Sequence, residues 1–142
     1  MTVTQASEFP APPPDRLAEV VRHHGIRLLL VHGSHVKGGV HAQSDLDLGV
    51  QLEDPDATSL FQLVADLQAL FPGHQVDLVT LNRADPLLAW QVYRDARLLA
   101  GEPAEFAGLR RYAWRRYVEY RPFLEREARA VADRLAQLRD AG

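Results

Sequence analysis

The apolar run over residues 26–31 ends on Gly33-Ser34, and the chain soon resumes as Asp45-Leu46-Asp47-Leu48, alternating acid with leucine. An apolar stretch with β-branched ends, interrupted only by Arg27, reads as a buried strand, and strict alternation reads as a strand with one covered face. Joined through a glycine turn, the two strands confine the chain to a sheet with helices packed against it. Glycine lets backbone approach a ligand closely. The N–H groups exposed at the start of the following helical turn suit an anionic triphosphate, with the Ser34 hydroxyl as a further donor. Lys37, the single lysine of the chain, adds a positive charge just beyond.

Side chains on a strand repeat every two residues, so Asp45, Asp47 and Gly49 share one face while Leu46, Leu48, Val50 and Leu52 occupy the other. Two carboxylates so placed can hold magnesium between them while the leucines anchor the strand in a core. Residues 75–81 read as a further strand with Asp77 near its start, which completes the cluster from a neighbouring position. Three crowded carboxylates repel one another unless divalent cations occupy the site, so metal is implied. In such a site one ion activates an attacking hydroxyl and a second neutralises a triphosphate and its leaving pyrophosphate. Asp45, Asp47 and Asp77 are therefore the candidate metal-binding and catalytic residues, with Asp77 on the nucleophile side or accepting the incoming hydroxyl's proton. Gly33, Ser34 and Lys37 are the candidate nucleotide-binding residues. Each letter alone has a plainer meaning: an acidic edge strand, a surface aspartate, or a serine capping the next helical turn. Their joint spacing argues for a site.

Together Gly33, Ser34, Asp45, Asp47 and Asp77, within a loosely similar stretch over residues 15–101, resemble the minimal nucleotidyltransferases of the polymerase-beta-like superfamily. The resemblance is to the MNT type, which serves as antitoxin to HEPN ribonuclease toxins. It implies transfer of AMP from ATP, with Mg2+ as cofactor, to a tyrosine of the HEPN partner in a hetero-oligomer, which disables the partner's RNase activity. Where this chain has Lys37 the family often has arginine; lysine keeps the charge but loses the bidentate fork. Two other classes stay open: an enzyme that nucleotidylates a small molecule, as aminoglycoside-modifying relatives do, and a module that neutralises its partner by binding alone. The roughly forty residues after the core are too few for a deep small-molecule pocket, which favours a macromolecular acceptor.

Other chemistries fit less well. Gly33 and Gly38 have P-loop spacing, but Gly39-Val40 stands where lysine and a hydroxyl residue are required. Ser34 lacks the glycine flanks of a nucleophile elbow. None of the six histidines, His23, His24, His32, His35, His41 and His74, shows zinc-ligand spacing, and there is no cysteine to assist. His23 and His24 precede Gly25 at what reads as a helix C-terminus, while His32 and His35 bracket the Gly-Ser turn within reach of a nucleotide. No apolar run approaches a membrane span and the N-terminus lacks a secretory pattern, so a cytoplasmic protein is expected. A net charge of -3 argues against a general nucleic-acid-binding surface.

The expected fold class is α/β (α+β): a small mixed sheet flanked by helices, with a C-terminal helical extension. Residues 1–14 read as a flexible arm stiffened by proline, 15–101 as the nucleotidyltransferase core, and 102–142 as a helical segment that packs on the core or docks a partner. Asp15 is expected to cap a first helix. Residues 55–71 read as a helix with Leu60, Leu63, Val64, Leu67 and Leu70 inward. Asp85-Pro86 opens another, with Leu87, Leu88, Val92 and Tyr93 buried, and residues 97–100 form a short edge strand. Residues 103–139 read as two helical pieces meeting near Arg121-Pro122, because proline removes a helix hydrogen bond and crowds the preceding turn. On the first piece Leu109, Tyr112, Ala113, Arg116, Tyr117 and Tyr120 share a face that either covers the protein's own sheet or docks a partner. On the second, Leu124, Ala128, Val131, Leu135 and Leu138 are expected to cover the protein's own sheet.

Overall fold

In the computed structural model, which describes residues 11–33 and 45–141, helix α1 (Pro14–His24) leads to strands β1 (Ile26–His32) and β2 (Asp45–Leu52). Helix α2 (Leu60–Leu70), strand β3 (Gln75–Thr80) and a 3-10 turn (Leu81–Arg83) follow. Helix α3 (Pro86–Asp95), strand β4 (Arg97–Gly101) and helix α4 (Pro103–Ala141) complete the chain. The strands form one mixed sheet in the order β3-β2-β1-β4, with β1 antiparallel to both neighbours and β2 parallel to β3. The α/β class, the mixed sheet and a C-terminal helical extension are those expected from the sequence.

β1 is apolar throughout its centre because both of its faces are covered. Leu29 and Val31 join the β2 residues Leu46, Leu48, Val50 and Leu52 in a core closed by α2, with Leu17, Val20 and Val21 of α1 packed against it. Leu28 and Leu30 face the opposite layer, where Ala89, Val92 and Tyr93 of α3 meet Ala113 of α4. Gly49 turns to this second layer: a Cβ there would lie 3.0 Å from Val92 Cγ1. Asp45 and Asp47 have the same parity as Gly49 and so share its face.

A parallel pair cannot be closed by a tight hairpin, so β2 reaches β3 through α2. Two side-chain amides outside the strands hold the pair in register. At the start of β3, Gln68 Nε2 donates to the carbonyls of Phe71 (3.4 Å) and His74 (2.5 Å) while its Oε1 accepts the Val76 N–H at 3.0 Å. Beyond the end of β3, Asn82 accepts the Leu52 N–H at 2.8 Å and donates to the Leu52 carbonyl at 2.9 Å, as another strand would. On the other layer Arg110 donates to the carbonyls of Tyr93 (2.9 Å) and Ala96 (3.0 Å), satisfying the C-terminal end of α3 and fastening α4 to it.

Several local expectations are corrected. The first helix begins at Pro14 with Pro13 as N-cap, so Asp15 lies in the first turn, where its charge suits the helix dipole, rather than at the cap. The helix expected from residue 55 starts only at Leu60, because Ser59 caps it through Gln62 N and Thr58 Oγ1 ties the preceding turn to the carbonyls of His24 and Asp54. Leu60 and Val64 are exposed on it. The third strand stops at Thr80, with Leu81 in the 3-10 turn. On α3 the buried side is Ala89, Val92 and Tyr93, with Leu88 exposed. Residues 103–141 form one helix with Pro122 inside it rather than two pieces. Pro122 lacks the N–H that would serve the Val118 carbonyl, and Val118 is exposed, so water can take the missing donor's place. The stripe expected to cover the sheet does not reach it: Val131, Leu135 and Leu138 are 55%, 58% and 65% exposed.

Gln68→Ala leaves the Val76 N–H without its partner at the entry to β3. A loss of about 1–3 kcal/mol is expected, read as a lower urea midpoint with an unchanged slope.

Candidate active site

The strands align His32 of β1 with Asp47 of β2, and Asp47 with Asp77 of β3. One row across the sheet therefore reads His32, Asp47, Asp77, with side chains on the same face and neighbouring Cα atoms about 5 Å apart. Asp45 stands one strand repeat earlier on that face, exposed at the beginning of β2. Asp47 is half-buried and Asp77 exposed. The structure thus brings Asp47 and Asp77 side by side, with Asp45 adjacent along the strand.

Gly33 follows His32 with φ +82°, and a Cβ built on it would collide with Asp47 Oδ2. The left-handed backbone selects glycine there, and any side chain would also have to push aside the Asp47 carboxylate lying against the main chain. The sequence reading assigned Gly33 to close approach by a ligand; within the described residues the close neighbour is Asp47. Ser34 and Lys37, the other candidate nucleotide-binding residues, lie outside the described residues, as do His35 and His41.

Burial pushes the His32 imidazole below its ordinary value, against the pull of Asp47, a hydrogen bond with the Leu48 backbone and Asp77. Its Nε2 is buried with no partner among the described residues. A neutral ring does not compensate the carboxylates beside it, so the row keeps its negative character. Carboxylate oxygens on adjacent strands are hard donors of the kind magnesium selects, and the residues present fit such an ion.

Further along this face a cavity of about 410 Å³ is lined by Gln51, Arg83, Tyr93, Tyr112 and Arg116. Tyr93 Oη donates to Gln51 Oε1 at 3.2 Å, and burial pushes the phenol up to about 12, with Arg27 pulling the other way. The Tyr93 hydroxyl stays protonated near neutrality. Sequence reasoning named His32 only as a neighbour of the turn and passed over Gln68 and Asn82. A glutamine on a helix and an asparagine in a turn give no periodic signal.

The chain matches the profile of the family described as "Polymerase beta, Nucleotidyltransferase" over residues 15–105. No curated protein sequence matches it. Among solved structures it is similar to a toxin-antitoxin crystal structure with AMP-PNP, at 25% identity and TM-score 0.64, over 86% of this chain and 97% of that one. It is also similar, at 20% identity and TM-score 0.59, to a chain in the structure of tri-AMPylated Shewanella oneidensis HEPN toxin in complex with MNT antitoxin, over 93% and 98% of the two chains. A toxin-antitoxin MntA-HepT structure matches at 22% identity and TM-score 0.57, over 86% and 95%. With the family profile covering well over half of the chain, the protein belongs to the polymerase beta nucleotidyltransferase family.

Proposed function

We propose that this protein is a magnesium-dependent adenylyltransferase that acts as the antitoxin of a HEPN toxin, moving AMP from ATP onto a hydroxyl of the toxin, a tyrosine by preference. The observation that carries the reading is the row in which Asp47, lying against Gly33, stands beside Asp77. The AMP-PNP and tri-AMPylated toxin of the similar structures support ATP as donor and a protein as acceptor.

In the reaction the acceptor oxygen attacks the α-phosphorus of ATP, a new P–O bond forms, and the bond from that phosphorus to the bridging oxygen breaks. Pyrophosphate leaves and AMP stays on the acceptor. Asp77 takes the acceptor's proton, while Gly33, Ser34 and Lys37 hold the triphosphate in line. Asp45, Asp47 and Asp77 would hold two magnesium ions, which when bound supply charge neutralisation at the phosphates and a more acidic acceptor hydroxyl. His32, paired across the strands with Asp47, adds no compensating charge to the row when neutral.

The exposed apolar residues of α4, from Tyr112 and Trp114 to Val131, Leu135 and Leu138, offer the toxin a docking face. Cytoplasmic residence accords with this role. Among the described residues, no helix is long and apolar enough to cross a membrane.

Incubation with magnesium, ATP and the protein encoded beside it, followed by intact-mass measurement, is expected to show an AMP-sized gain on the neighbour. Asp47→Asn and Gly33→Ala should each lower the rate by at least about a hundredfold, since each disturbs charge stabilisation in the transition state. No gain on any protein, with a stable complex still forming, would replace catalysis by occlusion; label on a small molecule would replace the acceptor class. Leu135→Arg touches no core residue, so it should keep the melting temperature within about 2 °C. It should nonetheless reduce capture of the toxin in a pull-down; undiminished capture would remove this stretch of α4 from the docking face.

A further inference from the structure

On the layer opposite the aspartate row, where α1 packs beside α2, His23, His24 and Asp66 bring three ligand atoms within 4.8 Å of one another. We infer that these three side chains form a site for a divalent transition cation, with zinc as the best-fitting ion, that clamps α1 to α2. The inference is independent of the nucleotidyl-transfer reading, because none of its residues lies on the face that carries Asp45, Asp47 and Asp77.

The site is built by the way α1 ends. Gly25, left-handed at φ +62°, stops the helix immediately after the two histidines, so both leave its last turn together. The negative end of the helix dipole favours a cation nearby, even with the Arg22 and Val21 carbonyls capped by the Gly25 N–H. Asp66 comes from the middle of α2, and its Oδ2 meets His24 Nε2 at 2.7 Å. His24 is buried while His23 is exposed, its ring centroid 4.7 Å from that of His24 and nearly perpendicular to it. One ligand is thus fixed and one free to swing in.

Around tetrahedral zinc, nitrogen and oxygen ligands sit about 3.4 Å apart. The separations here, from 2.7 Å up to at most 4.8 Å, bracket that value, so small rotations of His23 and Asp66 suffice. Supporting contacts are in place. The His24 carbonyl accepts Thr58 Oγ1 at 3.2 Å. The His24 Nε2–Asp66 Oδ2 hydrogen bond holds one proton between two ligand atoms, and zinc would take that proton's place. A cavity of about 340 Å³ lined by Arg16, Glu19, His23 and Asp66 opens onto the cluster and gives an ion its entry. Glu19 lies one turn before His23 on the same helix face and can supply a fourth oxygen, as can water. Two imidazoles with one carboxylate select zinc over magnesium.

The test is calorimetric titration of the metal-stripped full-length protein with zinc, and separately with magnesium, alongside thermal melting. Zinc is expected to bind saturably at one site here and to raise the melting temperature. His23→Ala keeps the His24–Asp66 pair and hence the fold, yet should weaken that binding at least tenfold, the low end of what even outer-shell partners contribute. Asp66→Asn should do the same, Asp47→Asn should leave zinc binding unchanged, and magnesium should not compete. Absence of saturable zinc binding, binding undiminished in both His23→Ala and Asp66→Asn, or loss of it in Asp47→Asn would overturn the inference.

Discussion

The parallel register of β2 and β3 puts Asp47 beside Asp77, and a slip of one residue would turn the β3 carboxylate to the opposite face. Backbone hydrogen bonds alone do not choose between registers. The choice comes from burial of the β2 leucines on one face and from the amides of Gln68 and Asn82, which hold the two ends of the pair. Both amides satisfy main-chain groups that would otherwise be unpaired where strands begin or end. Site geometry is in this sense a product of the scaffold's own hydrogen-bond requirements.

The sheet also separates two tasks. Its α1 and α2 side is a dry core that meets the leucines of β2, while its α3 and α4 side combines a smaller core with the polar end where the aspartates emerge. Gly33 and Gly49 are the points at which this second face must stay thin. At Gly33 a side chain would strike Asp47, and at Gly49 it would press on Val92. The glycine turn therefore shapes the carboxylate row as well as the approach to it.

Much of this was legible in the letters. Alternation over β2 gave its two faces, the apolar run of β1, broken only by Arg27, gave a central strand, and Asp85-Pro86 gave the start of α3. What the letters did not carry was anything decided by a distant partner. The periodicity of Leu124, Ala128, Val131, Leu135 and Leu138 says that one helix face is apolar, not what covers it. Pro122 removes one hydrogen bond, and a helix held by its other bonds can continue through an exposed position. The pairing of His24 with Asp66 joins residues on different helices, so no local spacing announced it. Register itself was inferred from Asp77 as a third carboxylate; the side chains that hold that register were not.

Cation binding to the row provides the most direct test, with Mn2+ as a spectroscopic stand-in for magnesium and free Mn2+ followed by electron paramagnetic resonance. The protein, Asp47→Asn, Asp77→Asn and the double variant would be titrated side by side. If the two carboxylates share an ion across the β2–β3 register, each single variant should lose most of the affinity and the double variant little more, a non-additive cycle. Losses that simply add, or affinity that survives both substitutions, would contradict a shared site and with it the central place given to the Asp47–Asp77 pair.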